Sequence, residues 1–112
     1  FFPAAVIARI PEAVEGLRLM LLRTPPEGYA GICAALRDAD LVPSTQALKL
    51  PTLCLAGSED PATSPAVVQG LADLIEGARL SVIEGSGHLP IIDAPEATAR
   101  HIDSFLAEIS HA

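Results

Sequence analysis

The sequence predicts an α/β fold with a parallel sheet, and two observations in its second half support this prediction. Two short apolar runs, residues 52–56 and 79–83, have the composition of strands that are buried on both faces. Each run is followed by a segment with the apolar spacing of an amphipathic helix, and the order strand, helix, strand, helix is typical of a parallel sheet. The earlier residues show helical spacing alone, so we divide the chain into 1–41 and 42–112.

Two helices are predicted in the first segment. Apolar side chains recur three and four residues apart over residues 11–23, and the pair Pro25 and Pro26 ends this helix and can open the next. The second helix has one apolar stripe, formed by Tyr29, Ile32, Cys33 and Leu36. Residues 41–50 are expected to form a connector in which Ser44 can cap a short turn.

The first predicted strand ends at Gly57 and leads into a helix. Ser64 is suited to cap that helix, Pro65 suits its first position, and Gly77 is expected to end it. Its buried face is predicted to consist of Val67, Val68, Leu71, Leu74 and Ile75.

A loop over residues 84–92 follows the second predicted strand and leads to a last helix over residues 94–109. Asp93 and Glu96 have the spacing of a capping box at the start of that helix. The inward face of the helix is predicted to consist of Ile102, Phe105, Leu106 and Ile109.

The chain is unusually apolar for its length. Half of its 112 residues are apolar and its mean hydropathy is +0.41, although a domain of this size leaves much of its surface exposed. Two strands also make too small a sheet to be stable alone. We therefore expect further strands in an N-terminal part that this sequence lacks, and we expect the chain to self-associate or to pair with that part.

Charge and cysteine content limit the partners and the compartment. The net charge is −7, and residues 25–112 carry four basic against twelve acidic residues. This balance disfavours nucleic acid, because phosphate contacts need clustered Lys and Arg. No apolar stretch has the length of a membrane span or the form of a signal peptide. With two cysteines the chain is not a disulfide scaffold, and a reducing, cytoplasmic location is expected.

The loops after the two strands are where a site is expected, since ligands of open α/β sheets bind beyond the carboxyl ends of the strands. The first loop contains Asp60 and the second contains His88. A carboxylate and an imidazole on successive strand ends can meet as an orienting acid and a general base. Each also has an ordinary explanation, since an aspartate beside a proline often satisfies turn amides and a loop histidine is often a surface residue.

The remaining candidates are weaker. His101 lies within the last predicted helix and His111 lies in the tail. No histidine pair has metal-ligand spacing with a third donor, so no metal is expected. Cys33 and Cys54 are expected to be buried, unreactive thiols because neither has a neighbouring base. Ser86 lies on a loop and lacks the strand-to-helix elbow that exposes a nucleophilic serine.

Most of the chain resembles a known family. The segments LKLPTLCLAGSEDPATSP and RLSVIEGSGHLPIIDAPEATARHIDSFL, within residues 48–109, are similar to the C-terminal part of the α/β-hydrolase fold. The acid precedes the histidine, as in that family's order of nucleophile, acid and base. The segment MLLRTPPEGYAGICAALRDADL is similar to the lid of the 3-oxoadipate enol-lactonases of aromatic catabolism. The resemblance implies that residues 1–41 end a helical lid and that residues 42–112 are the C-terminal βαβα part of the hydrolase core.

The resemblance also implies a mechanism. A serine attacks the carbonyl of a lactone or ester, His88 transfers the proton, and Asp60 holds the imidazole in its productive tautomer. The sequence contains no Gly-x-Ser-x-Gly, so the nucleophile is expected in the missing N-terminal half and the 112-residue chain alone is expected to be inactive. No cofactor is implied, since water is the only co-reactant.

Other interpretations remain open. Residues 90–93 depart from the polar residue and the Asn-Ile-Glu run that usually follow the histidine in these lactonases, so a carboxylesterase or a haloperoxidase-like hydrolase is an alternative. A second alternative is a non-catalytic module that associates through apolar faces, in which Asp60 and His88 are ordinary loop residues. Met20 and Tyr29 could line an acyl or ring pocket, but they are expected to be packing residues.

Overall fold

A parallel sheet of two strands lies at the centre of the second half of the molecule. The computed structural model describes residues 1–110. Strand β1 (Leu53–Gly57) pairs with strand β2 (Arg79–Ile83), with Gly57 opposite Ile83. A helix lies between the two strands in the chain, as a parallel connection requires. The predicted α/β fold with a parallel sheet is confirmed.

The described part of the chain contains seven helices, three of which have no counterpart in the sequence-based prediction. They are α1 (Ala4–Arg9), α2 (Pro11–Arg23), α3 (Pro26–Asp38), α4 (Val42–Gln46), α5 (Pro65–Ala72), α6 (Pro90–Asp93) and α7 (Pro95–Ile109). The unpredicted helices are α1, α4 and α6. Each has no more than six residues, which is too short to show a repeating apolar pattern.

Most predicted boundaries agree with the structure to within a residue, and α5 is the exception. It ends at Ala72 and not at Gly77. The N–H of Leu74 donates to the carbonyl of Leu71, so the chain tightens into a turn after the helix. Gly77 then adopts φ +76°, a conformation that favours glycine, and the chain turns there toward β2.

The predicted caps hold only in part. Ser64 is the N-cap residue of α5, but its side chain makes no capping hydrogen bond. The capping box predicted for α7 is wrong, because Ala94 is the N-cap residue and the carboxylate of Asp93 accepts hydrogen bonds from the loop after β2. Ser44 lies inside α4, where its hydroxyl donates to the carbonyl of Leu41.

The sheet is covered by α5 and α7, both of which contact β1 and β2. The buried apolar residues of this region are Cys54, Ala56, Ala72, Ile75 and Ile83. Burial of these apolar side chains stabilises the packing of both helices against the sheet. The strand ends, and with them the loops that carry Asp60 and His88, are positioned by this core.

The apolar stripe of α3 lies on the surface of the described residues. Ile32 and Leu36 are 61% and 73% exposed. Cys33 lies on the same stripe and is also exposed, so the prediction that this thiol is buried is wrong. Cys54 is buried in β1, as predicted.

The predicted inward faces of α5 and α7 are also partly open. Val67 and Leu71 of α5 are exposed, as are Ile102 and Leu106 of α7. Despite this apolar surface, none of the helices within residues 1–110 is both long enough and apolar enough to cross a membrane.

Candidate active site

Asp60 lies in a tight turn directly after β1. Its N–H closes the turn by donating to the carbonyl of Gly57 (3.3 Å). Its Oδ1 accepts the backbone N–H groups of Ala62 (2.8 Å) and Thr63 (3.0 Å), as an aspartate often does in a turn of this kind. Its Oδ2 accepts the hydroxyl proton of Thr63 (2.7 Å). These bonds hold the carboxylate in one orientation, and its side chain is only 5% exposed.

His88 lies in the loop after β2. Gly85 in that loop has φ +70°, which lets the chain turn toward Asp60. Nδ1 of His88 lies 2.9 Å from Oδ2 of Asp60, and the imidazole side chain remains 29% exposed. The structure therefore brings the predicted acid and the predicted base into hydrogen-bond contact.

The ionisation of Asp60 determines which atom donates in this contact. Burial acts to raise the pKa of Asp60, but hydrogen bonds from the Thr63 N–H, His88, the Thr63 hydroxyl and the Ala62 N–H outweigh burial and hold that pKa well below its usual range. A carboxylate only accepts, so Nδ1 of His88 is the protonated donor. In the neutral imidazole, Nε2 is then the nitrogen without a proton, as a general base requires.

The two loops are joined by hydrogen bonds of the main chain. The N–H of Ser58 donates to the carbonyl of Ile83 (3.0 Å), and the N–H of Glu59 donates to the carbonyl of Ser86 (2.9 Å). In the other direction, the N–H of Gly85 donates to Oγ of Ser58 (2.8 Å). The acid and the base follow directly after these cross-links. A movement that separates the two loops must therefore break these hydrogen bonds.

A second buried carboxylate, Asp93 at the end of α6, supports the histidine loop. It is 4% exposed and accepts the hydroxyl proton of Ser86 and the N–H of Gly87 (2.8 Å). Ser86 is fully buried and its hydroxyl is used in this bond, which agrees with its exclusion as a nucleophile. The sequence analysis missed this role of Asp93, because its spacing from Glu96 predicts a helix cap. The signal that the sequence offers is a single carboxylate directly after the apolar residues 90–92.

Phe1 covers one face of the imidazole. The ring centroids of Phe1 and His88 are 4.8 Å apart and their planes are inclined by 15°. The backbone N–H of His88 also donates to the carbonyl of Phe1 (2.8 Å). Stacking of this kind restricts the orientation of the imidazole. Nothing in the sequence indicates this contact, because the two residues are far apart in the chain.

Comparison with known proteins adds the family to this geometry. Residues 27–111 match the α/β-hydrolase family model described as TAP-like protein. The chain belongs to this α/β-hydrolase family.

The relatives of this α/β-hydrolase chain include lactonases and an esterase. The 3-oxoadipate enol-lactonase 2 of Acinetobacter baylyi is 35% identical over 106 residues, which are 95% of this chain and 39% of that protein. The crystal structure of the enol-lactonase from Burkholderia xenovorans LB400 is 33% identical with a TM-score of 0.88, over 96% of this chain and 41% of that one. A thermophilic esterase from Thermogutta terrifontis, with malate bound, is 30% identical with a TM-score of 0.85, over 96% and 40%. The chain thus spans about two fifths of the length of these relatives.

An apolar groove of about 510 Å³ opens beside the histidine of this hydrolase-family chain. Its lining includes Phe1, Phe2, Val14, Leu17, Met20 and Leu89. Phe1 stacks on the imidazole and Leu89 follows His88 in the chain, so the groove lies next to the histidine loop. Met20 and Tyr29 are both exposed, contrary to the expectation that they are packing residues. Met20 lines the groove, whereas Tyr29 lines a neighbouring cleft that shares Leu21 and Thr24 with the groove.

The other candidate residues lie away from this pair. His101 of α7 lines a different cleft together with Arg79 and Phe105, and His111 lies outside the described residues. Burial raises the pKa of the Cys54 thiol. Within residues 1–110, no group of three or more His, Cys, Asp or Glu side chains is arranged to hold a metal ion.

Proposed function

We propose that this chain supplies the acid and the base of a Ser-His-Asp triad in an enzyme that hydrolyses a lactone or an ester. The observation that carries the proposal is the contact between Nδ1 of His88 and the ionised Asp60, which leaves Nε2 as a proton acceptor. The relatives extend well beyond the part that this chain matches. We therefore propose that residues preceding this chain in a longer protein supply the serine and the oxyanion donors.

In the proposed reaction, the serine oxygen attacks the carbonyl carbon while Nε2 of His88 takes the serine proton. Asp60 stabilises the imidazolium and stays ionised. His88 then gives the proton to the leaving oxygen as its bond to the carbonyl carbon breaks. Water attacks the acyl-enzyme with the same proton transfer through His88, which releases the acid and restores the serine. These steps use no cofactor.

The proposed substrate is 3-oxoadipate enol-lactone, which would be hydrolysed to 3-oxoadipate in aromatic catabolism. Both a curated relative and a solved structure at 33–35% identity are enol-lactonases, which supports this choice. The groove beside His88 is apolar and can take a small ring. Arg18 also lines the groove, where two contacts of 2.7 Å pair its guanidinium with the carboxylate of Glu15, so a substrate carboxylate would have to displace Glu15 to bind it.

The proposal also assigns the surfaces and the location of the chain. Residues 1–41 would form the end of a lid, since α2 lines the groove next to the histidine loop. The exposed apolar residues of α3, α5 and α7 would be covered by the N-terminal part of the protein or by a second copy. A cytoplasmic location is supported by the two free thiols, Cys33 and Cys54, which a reducing compartment maintains.

The test uses the longer protein, in which the residues that precede Phe1 are included. Hydrolysis of 3-oxoadipate enol-lactone and of a p-nitrophenyl ester is measured for the wild type, His88→Ala and Asp60→Asn. Each substitution is expected to lower kcat by about 10³-fold or more, because neither leaves a correctly oriented base. The matched control is His101→Ala, which removes an imidazole from α7 and is expected to leave turnover unchanged.

The outcomes separate the parts of the proposal. Unchanged turnover in both His88→Ala and Asp60→Asn would contradict the triad and favour a non-catalytic role. Hydrolysis of the ester but not of the enol-lactone would support the proposed triad and contradict the proposed substrate. The substrate class would then be an ester. The 112-residue chain alone is expected to be inactive in either case, so the comparison requires the longer protein.

A further inference from the structure

Thr63 touches both members of the acid and base pair. Its Oγ1 lies 2.7 Å from Oδ2 of Asp60 and 3.3 Å from Nδ1 of His88. Its backbone N–H donates to Oδ1 of the same carboxylate (3.0 Å). One residue in the turn before α5 therefore reaches both carboxylate oxygens and the imidazole.

The single proton of the Thr63 hydroxyl is directed to Asp60. An ionised carboxylate has no proton to give, so Thr63 must donate in the short contact with Oδ2. The lone pairs of Oγ1 are then what His88 meets at 3.3 Å. A protonated Nδ1 can share its hydrogen between Oδ2 and Oγ1, whereas an unprotonated Nδ1 would place its own lone pair against those of both oxygens.

We propose that Thr63 is a positioning residue whose hydroxyl holds Oδ2 of Asp60 against Nδ1 of His88, which strengthens the preference, set by the ionised Asp60, for the His88 tautomer protonated on Nδ1. The inference rests on the proposed function for its kinetic consequence, because only this tautomer leaves Nε2 free to take a proton from the nucleophile. It does not rest on that function for its structural content, since the tautomer is a property of the folded protein.

The test compares two substitutions at Thr63 in the longer protein. Thr63→Val keeps the branched shape and removes the hydroxyl, whereas Thr63→Ser keeps the hydroxyl and removes a methyl group. Thr63→Val is expected to lower kcat by about tenfold or more with KM nearly unchanged, as for a hydrogen bond that acts on the base and not on substrate binding. Thr63→Ser is expected to retain most of the wild-type kcat.

A matched control is Thr98→Val. Thr98 is a buried threonine of α7, and its hydroxyl has no hydrogen-bond partner among the described residues. The substitution makes the same change of side chain away from the pair, so it is expected to leave both kcat and KM unchanged. A loss of activity in this control equal to that in Thr63→Val would show a general effect of the substitution and would overturn the inference.

A second readout does not depend on turnover. Nitrogen-15 NMR of the histidine side chains reports which ring nitrogen of His88 carries the proton, and His88→Ala identifies the signal. We expect the signal protonated at Nδ1 in the wild type and in Thr63→Ser. In Thr63→Val we expect a larger share of the tautomer protonated at Nε2, with the Nδ1 tautomer still favoured by Asp60. The inference is overturned if Thr63→Val keeps the wild-type tautomer ratio and kcat, or if Thr63→Ser falls as far as Thr63→Val. If instead the tautomer ratio changes while His88→Ala leaves hydrolysis intact, the proposed function fails and the role of Thr63 stands.

Discussion

The space that a β-carbon on Gly57 would need is occupied by the main chain of Gly87. Such a β-carbon would overlap the carbonyl oxygens of Gly87 and Ser86, so the end of β1 and the histidine loop touch backbone to backbone. Asp60 and His88 each follow within a few residues of this contact. The approach of the two glycines therefore helps to set the distance between the acid and the base.

The first prediction concerns this approach. Gly57→Ala is expected to lower the free energy of unfolding by about 3 kcal/mol or more, because backbone atoms cannot move aside as a flexible side chain can. Gly70→Ala is the matched control, since Gly70 lies in α5 and no atom lies within 4 Å of its β-carbon position. It is expected to raise the free energy of unfolding by about 0.5–1 kcal/mol, as alanine does in a helix. Urea unfolding measures both, and equal effects would contradict the close approach.

The local sequence pattern was sufficient to predict the helices and strands whose ends are marked by proline or glycine. Helix α2 occupies the predicted residues 11–23 because prolines delimit it, and β2 occupies the predicted residues 79–83 because glycines lie on either side. The meeting of Asp60 and His88 could also be predicted, since parallel strands that are adjacent end at the same edge of the sheet.

The contacts that hold Asp60 and His88 in place could not be predicted from the sequence, because they join residues through the tertiary structure. Asp93 has the spacing of a helix cap, but the buried donors of Ser86 and Gly87 take its carboxylate. The stacking of Phe1 on His88 joins residues that are distant in the sequence. Cys33 lies on an apolar stripe that predicts burial, yet within residues 1–110 no element covers that stripe.

The second prediction concerns the pH dependence of stability. Because the pKa of Asp60 is lower in the folded protein than its usual value of about 3.9, its ionised form stabilises the fold above about pH 4, and this contribution is lost as the pH falls through the folded pKa. Asp60→Asn removes the contribution at every pH. The difference in unfolding free energy between wild type and Asp60→Asn is therefore expected to be larger at about pH 6 than at about pH 2.5.

An exposed aspartate provides the control for this measurement. The hydrogen bond from Arg37 lowers the pKa of Asp38, but both side chains are exposed to solvent. Solvent and salt screen such a pair, so Asp38→Asn is expected to change stability little at either pH. A pH-independent effect of Asp60→Asn would contradict the second prediction.

The third prediction concerns the buried carboxylate of Asp93. Asp93→Ala leaves the Ser86 hydroxyl and the Gly87 N–H without their acceptor in a buried site. We expect it to lower the free energy of unfolding by about 2–4 kcal/mol. The double variant Ser86→Ala with Asp93→Ala is expected to lose less than the sum of the two single variants, because both single variants lose the same bond between Ser86 and Asp93 and the double variant leaves neither of its partners unsatisfied. Additive losses in urea unfolding would show that the two side chains do not interact.

The fourth prediction distinguishes the two thiols and tests whether apolar surface is covered in solution. Cys54 is buried in β1 and burial raises the pKa of its thiol, so a thiol-specific reagent is expected to modify it only when the protein unfolds. Cys33 is exposed on the apolar stripe of α3 and is expected to react quickly at low protein concentration. If two copies cover this stripe when they associate, the reaction of Cys33 slows as the protein concentration rises, and Cys33→Ser identifies its share of the signal. Reaction of Cys54 as fast as that of Cys33 would contradict the burial of β1. A reaction rate of Cys33 that does not depend on protein concentration would exclude α3 as the surface through which copies associate.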